Sequence, residues 1–142
     1  MNAIVVGTDG SPNAEAAVQK VIDLASGDGA PTVHMVCAYP GQSALERLGM
    51  TAKSNPIDMR GVAADLLARA ERRLTEAGFT VEKYAREGDP AHTLIEVAEE
   101  VGAELIVVGA HGNEGDRRFH IGSIAVKLSH NAPTSLLIVR ES

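Results

Sequence analysis

The chain has no tryptophan, two phenylalanines, two tyrosines and a single cysteine in 142 residues. So few rings leave little on which successive bases can stack, the usual grip of proteins that hold single-stranded nucleic acid. Cys37 cannot form an internal disulfide, and no Cys/His spacing resembles a zinc site, so a disulfide scaffold and a structural zinc module are both excluded. Positive charge is in the minority: 13 Lys and Arg against 19 Asp and Glu leave a formal charge of −6, which argues against general binding to nucleic acid. No apolar run approaches the roughly 18 residues of a membrane span, and no membrane insertion is expected. The opening apolar run, Ile4 to Thr8, is too short for a signal-peptide core and lacks a basic flank, so a cytoplasmic protein is expected. Two catalytic signatures are missing as well, the Walker A lysine loop and the Gly-x-Ser-x-Gly elbow.

What is present is an ordinary globular composition, 44% hydrophobic and 23% charged, at a length that suits one domain over residues 1–142. Ile4 to Gly7 reads as a first strand, and Gly10-Ser11-Pro12 turns the chain into a helix with Ser11 as N-cap and Pro12 at its first position. That helix places Ala14, Ala17, Val18, Val21, Ile22 and Ala25 on one face and stops at Gly27. Thr32 to Ala38 is the second strand. Tyr39 to Pro56 keeps no steady period and reads as a long connection with room for a helical turn. From Asp58 an amphipathic helix carries Val62, Leu66, Leu67, Ala70 and Leu74 to Gly78, and Phe79 to Ala85 reads as the third strand. Asp89-Pro90 opens a helix that Gly102 ends, Leu105 to Val108 is a fourth strand, and a last helix runs from Gly122 to His130-Asn131. Pro133 blocks its continuation, and Ser135 to Val139 supplies the fifth strand. Strands alternating with helices in this order predict an α/β three-layer, doubly wound sandwich around a parallel sheet, with ligands at the carboxyl ends of the strands.

The most informative stretch is GAHGNEGDRRFHIGS, residues 109 to 123. It follows the fourth strand and leads into the last helix, so glycine backbone and the unpaired N–H groups of a first helical turn meet in one loop, the makings of a phosphate cradle. Glycines that merely end a strand give the same local pattern.

These residues resemble the universal stress protein family over nearly the whole chain. VVGTDGS at residues 5 to 11 is similar to that family's first strand and turn. Gly109, Gly112, Gly122 and Ser123 match its Gly-x-x-Gly, nine residues, Gly-Ser pattern at full spacing, and NAPTSLLIV at residues 131 to 139 resembles its final turn and dimer-forming strand. The resemblance is to the ATP-binding branch. It implies a five-stranded parallel sheet in the order 3-2-1-4-5, the arrangement of the adenine nucleotide alpha hydrolase-like fold. It also implies that ATP lies across the switch point with its phosphates on the Gly109 to Ser123 loop, and the residues expected at the nucleotide are Thr8, Asp9, Val36, Gly109, His111, Gly112, Arg117, Gly122, Ser123 and Ile124.

Within that set several residues keep two readings. Asp9 suits ribose hydroxyls or an adenine-side contact, and also an ordinary turn acid. Val36 matches the position where the family pairs backbone with the adenine edge, although its side chain by itself reads as core. Ser123 is a phosphate donor or a helix cap, and His111 a ligand contact or a solvated loop residue. In the spacer, Arg117 or Arg118 suits a polyphosphate while Glu114 and Asp116 either help hold Mg²⁺ or repel an unshielded triphosphate, so ATP, with or without Mg²⁺, and cyclic AMP are both open as ligands. Lys127 lies a full turn into the last helix, where it is free to point to solvent. The expected function is nucleotide-dependent regulation through a homodimer or an unidentified protein partner; a slow ATPase, with Asp9 or His111 orienting water, is the alternative. The homodimer is expected through strand 135–139, whose apolar residues would otherwise sit at an exposed sheet edge.

Overall fold

A computed structural model describes residues 1–47, 49, 58–111 and 122–141. The elements follow in the order β1 (Ala3–Gly7), α1 (Pro12–Ala25), β2 (Thr32–Tyr39), α2 (Gln42–Arg47), α3 (Met59–Glu76), β3 (Val81–Glu87), α4 (Pro90–Val101), β4 (Leu105–Gly109), α5 (Ser123–Asn131) and β5 (Ser135–Val139). The strands form one five-stranded sheet, β3-β2-β1-β4-β5, with every pairing parallel. The long connection expected after the second strand holds the short α2, and its residues 50–57 lie outside the described ones.

Successive strand residues point to opposite faces, and the chain uses both faces. Ile4, Val6, Val33, Met35, Cys37 and Val107 pack with Ala17, Val18 and Val21 of α1 and with Ala63, Leu67 and Leu74 of α3. Val5, Val36, Ile106 and Val108 pack with Leu94, Val97 and Ala98 of α4 and with Ala125 and Leu128 of α5. The sheet is therefore the middle of three layers, and the apolar runs of β1 and β4 are continuous because neither of their faces meets water.

Two helix starts are fixed as their sequences predict. The Ser11 hydroxyl accepts from Ala14 N–H at 3.2 Å, and Asp89 Oδ2 accepts from His92 N–H at 3.0 Å, each just before a proline at the first helical position. The third strand begins later than its pattern suggests, at Val81 instead of Phe79. Gly78 takes a left-handed φ of 95° while its N–H bonds the Thr75 carbonyl and Phe79 N–H bonds the Leu74 carbonyl, both at 3.0 Å. That is the paired-bond ending of a helix, in which the residue after the glycine folds back onto the last turn. Phe79 thus closes α3 and is buried in the same core as Leu74.

Beneath α4, His34 is buried in β2, and its Nδ1 lies 2.8 Å from the Tyr84 hydroxyl. Arg86 covers the Tyr84 ring at 5.3 Å and grips Glu100 of α4 through both guanidinium nitrogens, at 3.1 and 2.7 Å. Burial lowers the His34 pKa from its ordinary value, against a smaller opposing pull from Glu82. A histidine whose folded pKa is depressed contributes stability that is complete above its unfolded pKa, about 6.5, and is lost as pH falls through the folded value. Asp89 is held below the usual carboxylate range, chiefly by the His92 N–H, and Glu100 by Arg86, so both lose their contributions only at lower pH. The melting temperature is accordingly expected to fall between about pH 7 and about pH 5. In His34→Gln that fall should shrink; thermal melts of the two proteins across the interval check it, and parallel curves would remove His34 as the cause.

Candidate functional site

The carboxyl ends of β1, β2 and β4 open into a cleft. It lies where the strand order reverses, the usual ligand position in a doubly wound sheet. Its shape follows from where each strand stops. β1 gives up pairing at Gly7, opposite Val36, while β2 continues to Tyr39 along β3. On the other side β4 runs to Gly109, paired with Val139.

From β1, Gly7, Thr8 and Asp9 line the cleft. A Cβ on Gly7 would come within 3.2 Å of both Leu94 methyls, so glycine keeps the floor open. Thr8 Oγ1 accepts from Gly10 N–H at 3.3 Å and Asp9 Oδ1 from Ser11 N–H at 2.9 Å, which folds both side chains into the tight turn leading to α1. Asp9 also adds, after burial, to the forces that push the neighbouring Cys37 thiol up to about 11; the cysteine stays protonated at neutral pH and is no nucleophile.

Val36 and Ala38 of β2 both line the cleft, and they differ in what their backbones do. The Val36 carbonyl accepts from Thr8 N–H at 2.9 Å. Thr32 N–H likewise points to the β1 side, to Asn2, whereas Val33 N–H and the Tyr39 carbonyl serve the β3 side, to Thr80 and Gly88. By that alternation Ala38 presents its N–H and C=O where β1 has already ended. Among the described residues the backbone edge without a strand partner on the β1 side is therefore at Ala38, two residues beyond the position read from the sequence, while Val36 lines the wall.

The glycine loop opens with two residues that have separate jobs. A Cβ on Gly109 would lie 2.7 Å from the carbonyl carbon and Cβ of Asn13, so the residue is glycine because the first turn of α1 crosses β4 there. Ala110, fully buried, donates to the Val139 carbonyl at 2.8 Å and accepts from Gly122 N–H at 2.6 Å. This second bond brings the two ends of the loop together and sets His111 beside the start of α5. It also uses the Gly122 N–H that the sequence pattern suggested for a phosphate. Gly122 caps α5 without a side chain, and among the described residues nothing accepts from the N–H groups of Ser123, Ile124 or Ala125, all three of which line the cleft. His111 lines it too, and its Nδ1 is buried with no hydrogen-bond partner among the described residues. Such an orphan costs about 1–3 kcal/mol unless something occupies the cleft.

Eight of the ten residues named from the sequence thus converge: Thr8, Asp9, Val36, Gly109, His111, Gly122, Ser123 and Ile124. The other two, Gly112 and Arg117, lie outside the described residues. The sequence reading missed Ala38, Leu94, Pro90 and Ala125, since small and apolar residues carry no chemical signature; only the strand register points to Ala38. Lys127 does not simply extend into solvent, for its Nζ lies 3.2 Å from Asp89 Oδ1 at the start of α4. Among the described residues no group of three or more His, Cys, Asp or Glu is placed to hold a metal ion, and no helix is long and apolar enough to cross a membrane.

The chain matches the universal stress protein family over residues 1–140. A universal stress protein of Mycobacterium tuberculosis is 31% identical over 139 residues, spanning 96% of this chain and 94% of that protein. Another, from Mycolicibacterium smegmatis, is 28% identical over 137 residues, but this chain spans only 45% of its length. Among solved structures, a universal stress protein in complex with cAMP is 29% identical and superposes with a TM-score of 0.74, over 99% of this chain and 98% of that one. The match over almost the full length, joined to the parallel sheet in the order β3-β2-β1-β4-β5, shows that the chain belongs to the universal stress protein family.

Proposed function

We propose that this chain binds an adenine nucleotide in the cleft and acts as a regulatory stress-response protein, as a single domain over residues 1–142, in the cytoplasm. The observation that carries the reading is the convergence of three N–H groups on the first turn of α5 with the His111 Nδ1, none of which has a partner among the described residues. Helix-start donors and their partial positive charge suit a phosphate. At the opposite wall, the adjacent N–H and C=O of Ala38 match the acceptor and donor of an adenine edge, and Asp9 lies between the two walls as an acceptor for ribose hydroxyls. Asp9 also repels phosphate, so the anion belongs at α5 and the base at β2. Gly112 and Arg117 stay assigned to the phosphate side by the sequence pattern alone.

ATP is the proposed ligand, with or without Mg²⁺. Cyclic AMP is the second reading, favoured by the solved relative that holds it. Nucleotide occupancy is proposed to bias a homodimer or the surface offered to a protein partner.

Calorimetric titration with ATP, ADP and cAMP, with and without Mg²⁺, should show saturable binding of at least ATP or cAMP. No heat and no competition with any of them would end the nucleotide reading. Ser123→Pro sharpens the measurement. Proline is at home at the first helical position, and Gly122 already has the extended backbone, φ −63° and ψ 160°, that must precede it. The variant removes one N–H and one hydroxyl while keeping the helix, and binding should weaken roughly tenfold.

The homodimer is proposed through β5. The two sheet edges are unlike: β3 carries Glu82, Lys83, Arg86 and Glu87, whereas β5 reads Ser-Leu-Leu-Ile-Val with Leu136, Leu137 and Ile138 only partly buried. Charged edges resist pairing and uncharged apolar edges invite it. Sedimentation at micromolar concentration should report a dimer; monomer alone, with and without nucleotide, would exclude pairing through this edge.

A further inference from the structure

The rim of the cleft carries a device that the nucleotide reading leaves unused. Lys127 stands four residues after Ser123, on the same side of α5, and helical side chains lean toward the N-terminus of their helix, so its stem runs back toward the turn that lines the cleft. Its ammonium reaches across to α4 and sits 3.2 Å from Asp89 Oδ1. Asp89 caps α4 and directly precedes Pro90, another lining residue. The ion pair therefore bridges the starts of the two helices at the mouth of the cleft. Both side chains are about half exposed, 58% and 47%, and an exposed pair of this kind is easily broken. Asp89 does not depend on it: its other oxygen holds the His92 N–H, and the carboxylate faces the positive end of α4. No lysine or arginine is among the described residues that line the cleft itself.

We propose that Lys127 is a specificity-determining residue that exchanges Asp89 for the outer phosphates of a bound nucleotide, favouring chains of phosphates over a cyclic or single phosphate. This rests on the nucleotide reading above. An inner phosphate on the N–H groups of Ser123, Ile124 and Ala125 directs any further phosphates out of the cleft, toward the lysine. A lysine suits the exchange because it is a compact charge on a flexible stem, with no fixed fork to realign. Cyclic AMP, with one charge held at the helix start, does not extend to it. Asp89 is the competitor for the ammonium and a repulsive charge beside the outgoing phosphates. The empty pair therefore sets a threshold that only a highly charged ligand crosses.

The two partners make opposite predictions. Titrations of ATP, ADP, AMP and cAMP into the parent, Lys127→Gln and Asp89→Asn compare affinity ratios within each protein, so that a general loss of fold or binding cancels. Asparagine caps a helix as well as aspartate, which preserves α4. In Lys127→Gln the ATP-to-cAMP affinity ratio should fall about fivefold, and in Asp89→Asn it should rise about two- to threefold, as expected for one partly exposed charge contact. If the ratio falls in both variants, the pair merely holds α4 and α5 together, and the exchange is overturned. It is equally overturned if the ratio moves in neither, or if the parent binds cAMP and no ATP. A parent that binds none of the four nucleotides removes the underlying reading instead.

Discussion

Two backbone hydrogen bonds at one alanine hold the site together. Ala110 donates to the end of β5 and accepts from Gly122 at the start of α5, at 2.8 and 2.6 Å, and it is fully buried. The first bond seats the loop on the sheet edge; the second closes the loop and aims the first turn of α5 back over the strand ends. Without that closure, His111 and the N–H groups of Ser123, Ile124 and Ala125 would have no common direction. Gly109, one residue earlier, makes the closure possible, since any side chain there would strike Asn13 and force α1 away from β4.

Much of this was legible in the sequence wherever a local signal determines a local result. Ser11-Pro12 and Asp89-Pro90 state their helix starts because cap and proline act within one turn. The apolar runs of β1 and β4 state a sheet covered on both faces. Phe79 misled because it is an apolar residue next to a strand pattern, while its place was decided by the left-handed Gly78 before it. Val36 and Ala38 are indistinguishable by residue type; which backbone edge is free depends on where β1 stops relative to β2, a fact of register. Gly109 belongs to the glycine pattern of the loop, but what requires a glycine there is a helix nearly a hundred residues earlier in the chain. Asp89 and Lys127 lie 38 residues apart, and nothing local ties them.

The cleft runs against the economy of the rest of the molecule. Several polar side chains elsewhere are matched within the chain: Ser11 and Asp89 cap helices, His34 meets Tyr84, Arg86 meets Glu100. Here, among the described residues, an imidazole nitrogen and three helix-start donors have no protein partner. A folded chain tolerates such a deficit where a ligand or water supplies the missing acceptors, and unmet donors concentrated on one wall distinguish a binding surface from a packing fault.

Charge then orients whatever binds. The chain is acidic overall, at −6, and the cleft contains Asp9 on its β1 side, so an anion gains nothing from the general field. Among the described residues it is favoured at the α5 end, where helix donors point, and at the rim, where an ammonium is present but already paired. A neutral, planar group with its own donor and acceptor meets the opposite conditions at the β2 edge. An adenine nucleotide has this polarity built in, base at one end and phosphate at the other, with hydroxyls between them for a carboxylate. On the proposed reading, then, the acids around the cleft do not weaken the case for a phosphate ligand; they leave it one orientation.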